Sequence, residues 1–233
     1  MTELRADKLS SIVLLRDLSV QERIEVEKAC AFRNFSAKQT VFDKDDRNRD
    51  VMFVVSGEIN ITSYSLTGKE ISYDTIHGGD FFGELAAIDG EARSATAVAL
   101  AKTELASLPP EKFKQLCERH PEIAWKVFSR LAAVIRNSNE RIMDFATLSS
   151  QQRVTSELLR LAKPDAATQG AWSIYPLPTQ SAIASRIGTS RETVARVIGD
   201  MIRAGMMVKK GRAVFIPDRE KLETLVQRLP NAE

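Results

Sequence analysis

The sequence predicts an α+β chain: an antiparallel β-roll first, then one long helix, then short helices closed by a basic hairpin. Three observations carry this. Short apolar or alternating segments separated by turn residues fill residues 51–108. From about Glu111 the apolar residues change to helical spacing. After Thr179, two short helical patterns precede a Lys-Lys-Gly-Arg turn flanked by strands. At 233 residues and 43% hydrophobic, the chain can bury a core in each half.

Composition narrows the function classes. No stretch of about 18 consecutive apolar residues occurs, and the first 30 residues alternate charge with hydrophobics, so neither a membrane span nor a signal peptide is expected, and the cytoplasm is the expected location. Cys30 and Cys117 lie far apart without C-x-x-C spacing, which suits buried thiols better than a metal ribbon or a disulfide framework. His77 and His120 are 43 positions apart, so a cupin-type metal cluster lacks its histidines. No Ser/His/Asp or Cys/His arrangement suggests itself, so neither an enzyme nor a metal or haem protein is expected.

In chain order, "VMFVVS" is an apolar strand and the segment after Gly57 alternates, with Ile59 and Ile61 on one side and Glu58, Asn60 and Thr62 on the other. Thr67-Gly68 reads as a turn into a further strand, and "SATAVALA" and "TELASL" add two more before Pro109-Pro110 ends the pattern. A short helix reaches Arg119, His120-Pro121 interrupts it, and a long helix starts near Glu122. Along that helix Ala124, Phe128, Leu131, Ile135, Ser138, Ile142 and Phe145 step by four and three, the seam of a coiled coil and hence of a homodimer. Ser138, followed by Asn139, is its polar break and needs a partner. "SSQQ" reads as a hinge, Pro164 to Gly170 as a loop. The predicted domains are residues 1–121, 122–148 and 149–233.

The last domain carries the charge. The chain's net charge is only +2, yet residues 179–216 hold seven basic residues against two acids. Ile183 and Ile187 mark one helix closed by Gly188; Thr189 then opens a T-S-R-E capping box with Glu192 for a second. That helix has Val194, Val197, Ile198, Met201 and Ile202 on its core face, and Arg191, Glu192 and Arg196 on the other. Helix, glycine turn, helix is the helix-turn-helix pattern, and arginine and glutamate can read guanine and cytosine edges. "MVKKGRAVFI" adds a basic wing bearing Lys209, Lys210 and Arg212. Duplex DNA is the expected partner.

"FFGELAAIDGEARSATA", residues 81–97, poses a second recognition problem. Arg93 requires an anion, and an ionised Glu84 requires hydroxyl or amine donors; Gly83 lets backbone come close. A ribose with a free 2′-hydroxyl beside a cyclic phosphate carries both, as does a sugar phosphate.

"GDFFGELAAIDGEARSATA" resembles the phosphate-binding cassette of cyclic-nucleotide-binding domains, and "GTSRETVAR" resembles the recognition-helix start of the cyclic-AMP receptors of the CRP/FNR family of bacterial transcription regulators. The likeness covers nearly the whole chain in order: cyclic-nucleotide-binding β-roll, long dimerisation helix, hinge, winged helix-turn-helix. It implies cyclic AMP, or cyclic GMP, as allosteric effector. Glu84 then accepts from the ribose 2′-hydroxyl, Gly83 and Leu85 shape the turn, Arg93 and Ser94 hold the phosphate, and Ser138 and Asn139 meet the base. The family has a Thr-Ser pair where this chain has Ser138-Asn139, which opens the base preference. It implies a palindromic operator with a GTG-like core read by Arg191, Glu192 and Arg196, with Thr189 and Ser190 at the helix start, and contact with RNA polymerase. Gln180 and Ala182 depart from the family's longer charged side chains. A regulator with another effector or none, and a nucleotide-responsive protein that regulates other proteins, remain as alternatives.

Overall fold

A computed structural model describes residues 7–228 apart from 67, 69, 166, 167 and 169. The chain divides into two compact units, Met1–Val134 and Ile135–Glu233, and each is described by itself.

In the first unit, Ser19 and Glu22 form a reciprocal capping box: the Glu22 N–H donates to Ser19 Oγ (3.3 Å) and the Ser19 N–H to Glu22 Oε2 (2.8 Å). This starts α1 (Val20–Ala29). There follow β1 (Ala31–Phe35), β2 (Thr40–Phe42), β3 (Val51–Ser56), β4 (Glu58–Tyr64), β5 (Glu70–His77), β6 (Phe81–Phe82), α2 (Glu84–Asp89), β7 (Thr96–Ala99), β8 (Thr103–Leu108), α3 (Pro110–Arg119) and α4 (Pro121–Thr147), whose residues from Ile135 on belong to the second unit. The strands form two four-stranded antiparallel sheets, ordered β1-β8-β3-β6 and β2-β7-β4-β5, which is the roll.

The uninterrupted apolar run of β3 has a packing reason. Met52 and Val54 enter the core between the sheets, with Ile59, Ile76, Ala97 and Leu105. Val51 and Phe53 enter a second core under helices, with Leu15, Phe113, Leu116, Ile123 and Val127. Both faces of the strand are covered, so no polar alternation survives.

β4 departs from its expected two-sidedness. The β4–β5 register shifts between Ile61 and Thr62, and Asn60 and Thr62 are both buried. Asn60 accepts from Ser72 Oγ (2.6 Å) and donates to Glu70 Oε1 (2.8 Å), while Thr62 Oγ1 donates to the Ile71 carbonyl (2.9 Å). Satisfied in this way, these polar groups tolerate an interior position. Of the expected Thr67-Gly68 turn, Gly68 has φ +77° and Thr67 lies outside the described residues.

On α4, Ile123 and Val127 are buried and Leu131 packs partly on the same core. Phe128, Ile135 and Ile142 are more than half exposed in the single chain.

The second unit continues with α5 (Ser150–Leu161), β9 (Lys163–Pro164), β10 (Trp172–Ile174), α6 (Gln180–Ile187), α7 (Arg191–Arg203), β11 (Val208–Lys210), β12 (Ala213–Ile216) and α8 (Arg219–Arg228). Its strands form one antiparallel sheet, β11-β12-β10-β9, over a core of Val154, Leu158, Ile183, Val194, Val197 and Val214. The hinge is narrower than its polar composition suggests: only Leu148 and Ser149 separate α4 from α5, because Ser149 and Gln152 form a capping box that starts a helix at once. Of the loop expected over Pro164–Gly170, Pro164 belongs to β9, and 166, 167 and 169 lie outside the described residues.

The T-S-R-E capping box is a correction. The N-cap of α7 is Ser190, whose Oγ accepts the Thr193 N–H (3.1 Å). Thr189 is engaged elsewhere: Gly188 is left-handed (φ +64°), and the Thr189 N–H closes α6 on the Ala184 carbonyl (3.0 Å).

Candidate functional site

Gly83 ends β6 in the left-handed region (φ +82°) and places Glu84 at the first position of α2. A Cβ on Gly83 would stand 2.6 Å from Arg93 Nη1 and 3.1 Å from the Asp50 carbonyl, so only glycine lets the guanidinium lie against this turn. Arg93 is buried, 2% exposed. Its Nη1 donates to the Gly83 carbonyl (2.9 Å), and its Nη2 to Asn48 Oδ1 (2.8 Å) and the Asp50 carbonyl (2.7 Å). The guanidinium carbon lies 4.1 Å from the centre of the Phe42 ring. Its Nε–H is buried and has no hydrogen-bond partner among the described residues.

Glu84 is also buried. Burial pushes its carboxyl above the usual range; its own backbone N–H, then Arg130, then Arg93 pull the other way, and Asp74 adds to the rise. Burial lowers the pKa of Arg93, offset in part by Asp50, Asp46 and Glu84, and arginine stays protonated. A buried cation with a spare donor and a buried carboxyl thus share one glycine turn. This pair suits a small ligand that is anionic at one point and hydroxylic at another.

The structure brings Gly83, Glu84 and Arg93 together. Leu85 and Ser94 are exposed beside them, and Ser138 and Asn139 are exposed on α4 within the second unit. Sequence reasoning missed Asn48, Asp50, Asp74 and Arg130. Arg130 lies over the Phe81 ring (4.6 Å) with Nη1 3.6 Å from Asp80. The Asp46-x-Asn48-x-Asp50 spacing is a signal for side chains that bond backbone two residues on, and could have marked the loop.

In the second unit, Val194, Val197, Ile198 and Met201 bury one face of α7 and leave Arg191, Glu192 and Arg196 exposed on the other. Arg196 lies 3.9 Å from Asp200, which also takes Arg203. Its own backbone N–H and the Ser190 hydroxyl hold the Glu192 carboxyl below the usual range, so it is ionised at neutral pH. Lys209, Lys210 and Arg212 are exposed around the wing turn, where Gly211 has φ +59°. Thr189 is half-buried at the turn and Ser190 exposed.

The expected seam residue Phe145 has a partner within its own chain. A Cβ on Gly188 would stand 2.7 Å from Phe145 Cε1, and the Arg153 guanidinium lies over the same ring (5.2 Å). Arg153 also donates to the Leu148 carbonyl (2.7 Å) and the Ile187 carbonyl (3.1 Å). Arg160 pairs with Asp144, Glu140 and Glu157, tying α5 to the end of α4. The turn of the helix pair is therefore pinned to the last turns of the long helix.

Residues 32–120 match the family model of the cyclic nucleotide-binding domain, and residues 152–225 that of the Crp-like helix-turn-helix domain. Over 192 residues the chain is 30% identical to the cAMP-activated global transcriptional regulator Vfr of Pseudomonas aeruginosa, covering 80% of this chain and 89% of Vfr. The chain belongs to the CRP/FNR family of transcription regulators. The cAMP-activated regulator CRP of Salmonella typhimurium is 28% identical over 189 residues, 80% of this chain and 90% of that one. Among solved structures, FixK2 from Bradyrhizobium japonicum matches with a TM-score of 0.69 at 19% identity, covering 88% of this chain and 98% of that one. A CooA mutant from Carboxydothermus hydrogenoformans matches with a TM-score of 0.75 at 18% identity over 87% and 90%. Those two likenesses establish the CRP/FNR fold. As a member of the family, the chain is a regulator with a cyclic nucleotide-binding domain followed by a DNA-binding helix-turn-helix domain. Among the described residues, no helix is long and apolar enough to cross a membrane.

Proposed function

We propose that this regulator works as a homodimer that binds a cyclic purine nucleotide, cyclic AMP before cyclic GMP, and shifts on binding toward a state that grips a palindromic operator on duplex DNA. The observation that carries the ligand is the buried Arg93 Nε–H without an acceptor, beside the buried carboxyl of Glu84. A cyclic phosphate supplies the acceptor and a ribose 2′-hydroxyl the donor. Ser94 adds a hydroxyl toward the phosphate, and Gly83 and Leu85 form the turn. The family resemblance assigns the base to Ser138 and Asn139; an asparagine bonds either purine. The choice of cyclic AMP follows Vfr and CRP, both cAMP-activated.

The exposed apolar Phe128, Ile135, Ile142 and Phe145 supply the dimer seam, joined by Leu131. Arg191, Glu192 and Arg196 read bases while Thr189, Ser190, Lys209, Lys210 and Arg212 engage the backbone. RNA polymerase is the further partner the resemblance implies, and the cytoplasm the location. Coupling between ligand and DNA requires a difference in affinity between two states, typically about 1–3 kcal/mol. Fluorescence anisotropy on a labelled palindromic duplex, with and without cyclic AMP, tests this. Tighter DNA binding with the nucleotide, lost in Arg93→Ala, is expected; an Arg93→Ala variant that still responds fully contradicts the pocket assignment.

A further inference from the structure

We infer that Asn48 is a positioning residue for Arg93: it holds the guanidinium by a neutral acceptor, so that the arginine's charge and its Nε–H remain for the phosphate of the ligand. This rests on the reading that the ligand is a cyclic nucleotide. Three protein oxygens take N–H groups of Arg93: Gly83 O, Asp50 O and Asn48 Oδ1. All three are uncharged. A guanidinium has five N–H groups, so the Nη2 pair is taken up by Asn48 and Asp50, and Gly83 takes one from Nη1. The Nε–H and the second Nη1–H are left, and of these the Nε–H is buried and without a partner.

This neutrality is unusual for its surroundings, because the β2–β3 loop that supplies Asn48 also contains Asp43, Asp45, Asp46 and Asp50. The backbone of that loop wraps Arg93: the Arg93 N–H donates to Asp46 O (2.9 Å) and the Asp45 N–H to Arg93 O (2.9 Å). No carboxylate among the described residues forms an ion pair with the guanidinium, although Asp50, Asp46 and Glu84 are near enough to act on its charge. The Asp50 carboxylate instead accepts from the Ser107 hydroxyl, leaving only its carbonyl to Arg93.

Asn48 itself is fixed on the other side. Its N–H donates to Asp46 Oδ1 (2.9 Å), and its Oδ1 accepts the Asp50 N–H (3.1 Å) as well as Arg93 Nη2. Successive side-chain turns of this kind hold the amide oxygen in place against the backbone. A carboxylate in the same place would keep the oxygen and the turn but neutralise the cation, and would compete with the phosphate.

The test compares wild type, Asn48→Asp, Asn48→Ala and Arg93→Ala as full-length protein. Titration calorimetry with cyclic AMP and with the Sp and Rp diastereomers of its phosphorothioate is paired with the melting temperature of the ligand-free protein. Asn48→Asp is expected to lose about tenfold or more in affinity while melting like wild type, since a charge-assisted bond within the protein replaces one to the ligand. Asn48→Ala is expected to lose about fivefold and to alter the Sp-to-Rp affinity ratio, which reports how the guanidinium is aimed and which general loosening of the fold leaves unchanged. If Asn48→Asp and Asn48→Ala keep affinity and diastereomer ratio within about twofold of wild type while Arg93→Ala has lost binding, the positioning role is overturned and the pocket stands. If wild type binds no cyclic nucleotide, the reading of the pocket falls, and the inference with it.

Discussion

Replacing Gly188 by alanine should loosen the DNA-binding unit by an amount the structure sets. Gly188 has φ +64°, where an L-residue costs about 1–2 kcal/mol. The new Cβ would also stand 2.7 Å from Phe145 Cε1 and 3.2 Å from Cζ, so the ring has to move. Phe145 sits in the last turn of α4 and is half-exposed, so that displacement adds about 1 kcal/mol, the low end for overpacking. The sum is about 2–3 kcal/mol. For a unit of this size each kcal/mol shifts the melting point by about 4–8 °C, so the second unit should melt roughly 10–20 °C lower. Differential scanning calorimetry of the ligand-free protein, with Phe145→Ala and the double variant, separates the two terms. In the Phe145→Ala background the alanine should cost only the backbone part, about 1–2 kcal/mol. A Gly188→Ala protein melting within about 2 °C of wild type would refute the strain. An equal cost in both backgrounds would refute the contact with Phe145.

Three further outcomes follow from the same geometry. The folded-state pKa of Glu84 is raised by burial, so its contribution to stability is complete below the unfolded value of about 4.3 and is lost as pH rises through the raised value. Glu84→Gln should therefore melt higher than wild type at neutral pH, by a margin that closes below pH 4, yet bind cyclic nucleotide more weakly; equal melting at pH 4 and pH 7 for the pair contradicts the shift. Arg160→Ala removes one of two cations from Glu157, whose side chain is 2% exposed. It should cost about 2 kcal/mol by denaturant titration, discounted from a fully orphaned buried charge because Arg186 remains at 3.5 Å; a cost under about 0.5 kcal/mol contradicts the clamp. Glu192→Ala should relax specificity at one base pair by about 1–3 kcal/mol in a binding-site selection; uniform weakening across sequences would mean that it only orients α7.

Much of this was legible in the sequence because the signals are local. Turn residues at short spacing marked the strands of the roll, the change to helical period at Glu111 marked α3, and Lys209-Lys210-Gly211-Arg212 marked the wing. Glu84 and Arg93 were legible as a pair because ten residues of chain carry them both. What lay hidden was set by tertiary partners. Asn48 is 45 positions from Arg93, and nothing in a loop rich in aspartate announces that its one amide meets the guanidinium. Asn60 and Thr62 fell on the polar side of the alternation, and their burial depends on Glu70, Ser72 and the Ile71 carbonyl across the β4–β5 pair, partners that alternation does not express. Phe145 fits the coiled-coil step, and its ring also meets Gly188 and Arg153 within the chain, contacts that a seam pattern does not express. The cap of α7 moved by one residue because closing α6 uses Thr189 first, a competition between two helix ends that a single motif does not express.

On the proposed function, the turn shared by Glu84 and Arg93 binds a cyclic nucleotide. Calorimetric titration of the purified protein with cyclic AMP, with cyclic GMP, and of Arg93→Ala with both, tests it most directly. Micromolar binding near one ligand per subunit for one nucleotide, and its loss in Arg93→Ala, is the expected result. Absence of heat with either nucleotide for the wild-type protein would contradict it, as would an Arg93→Ala variant that binds as tightly as wild type.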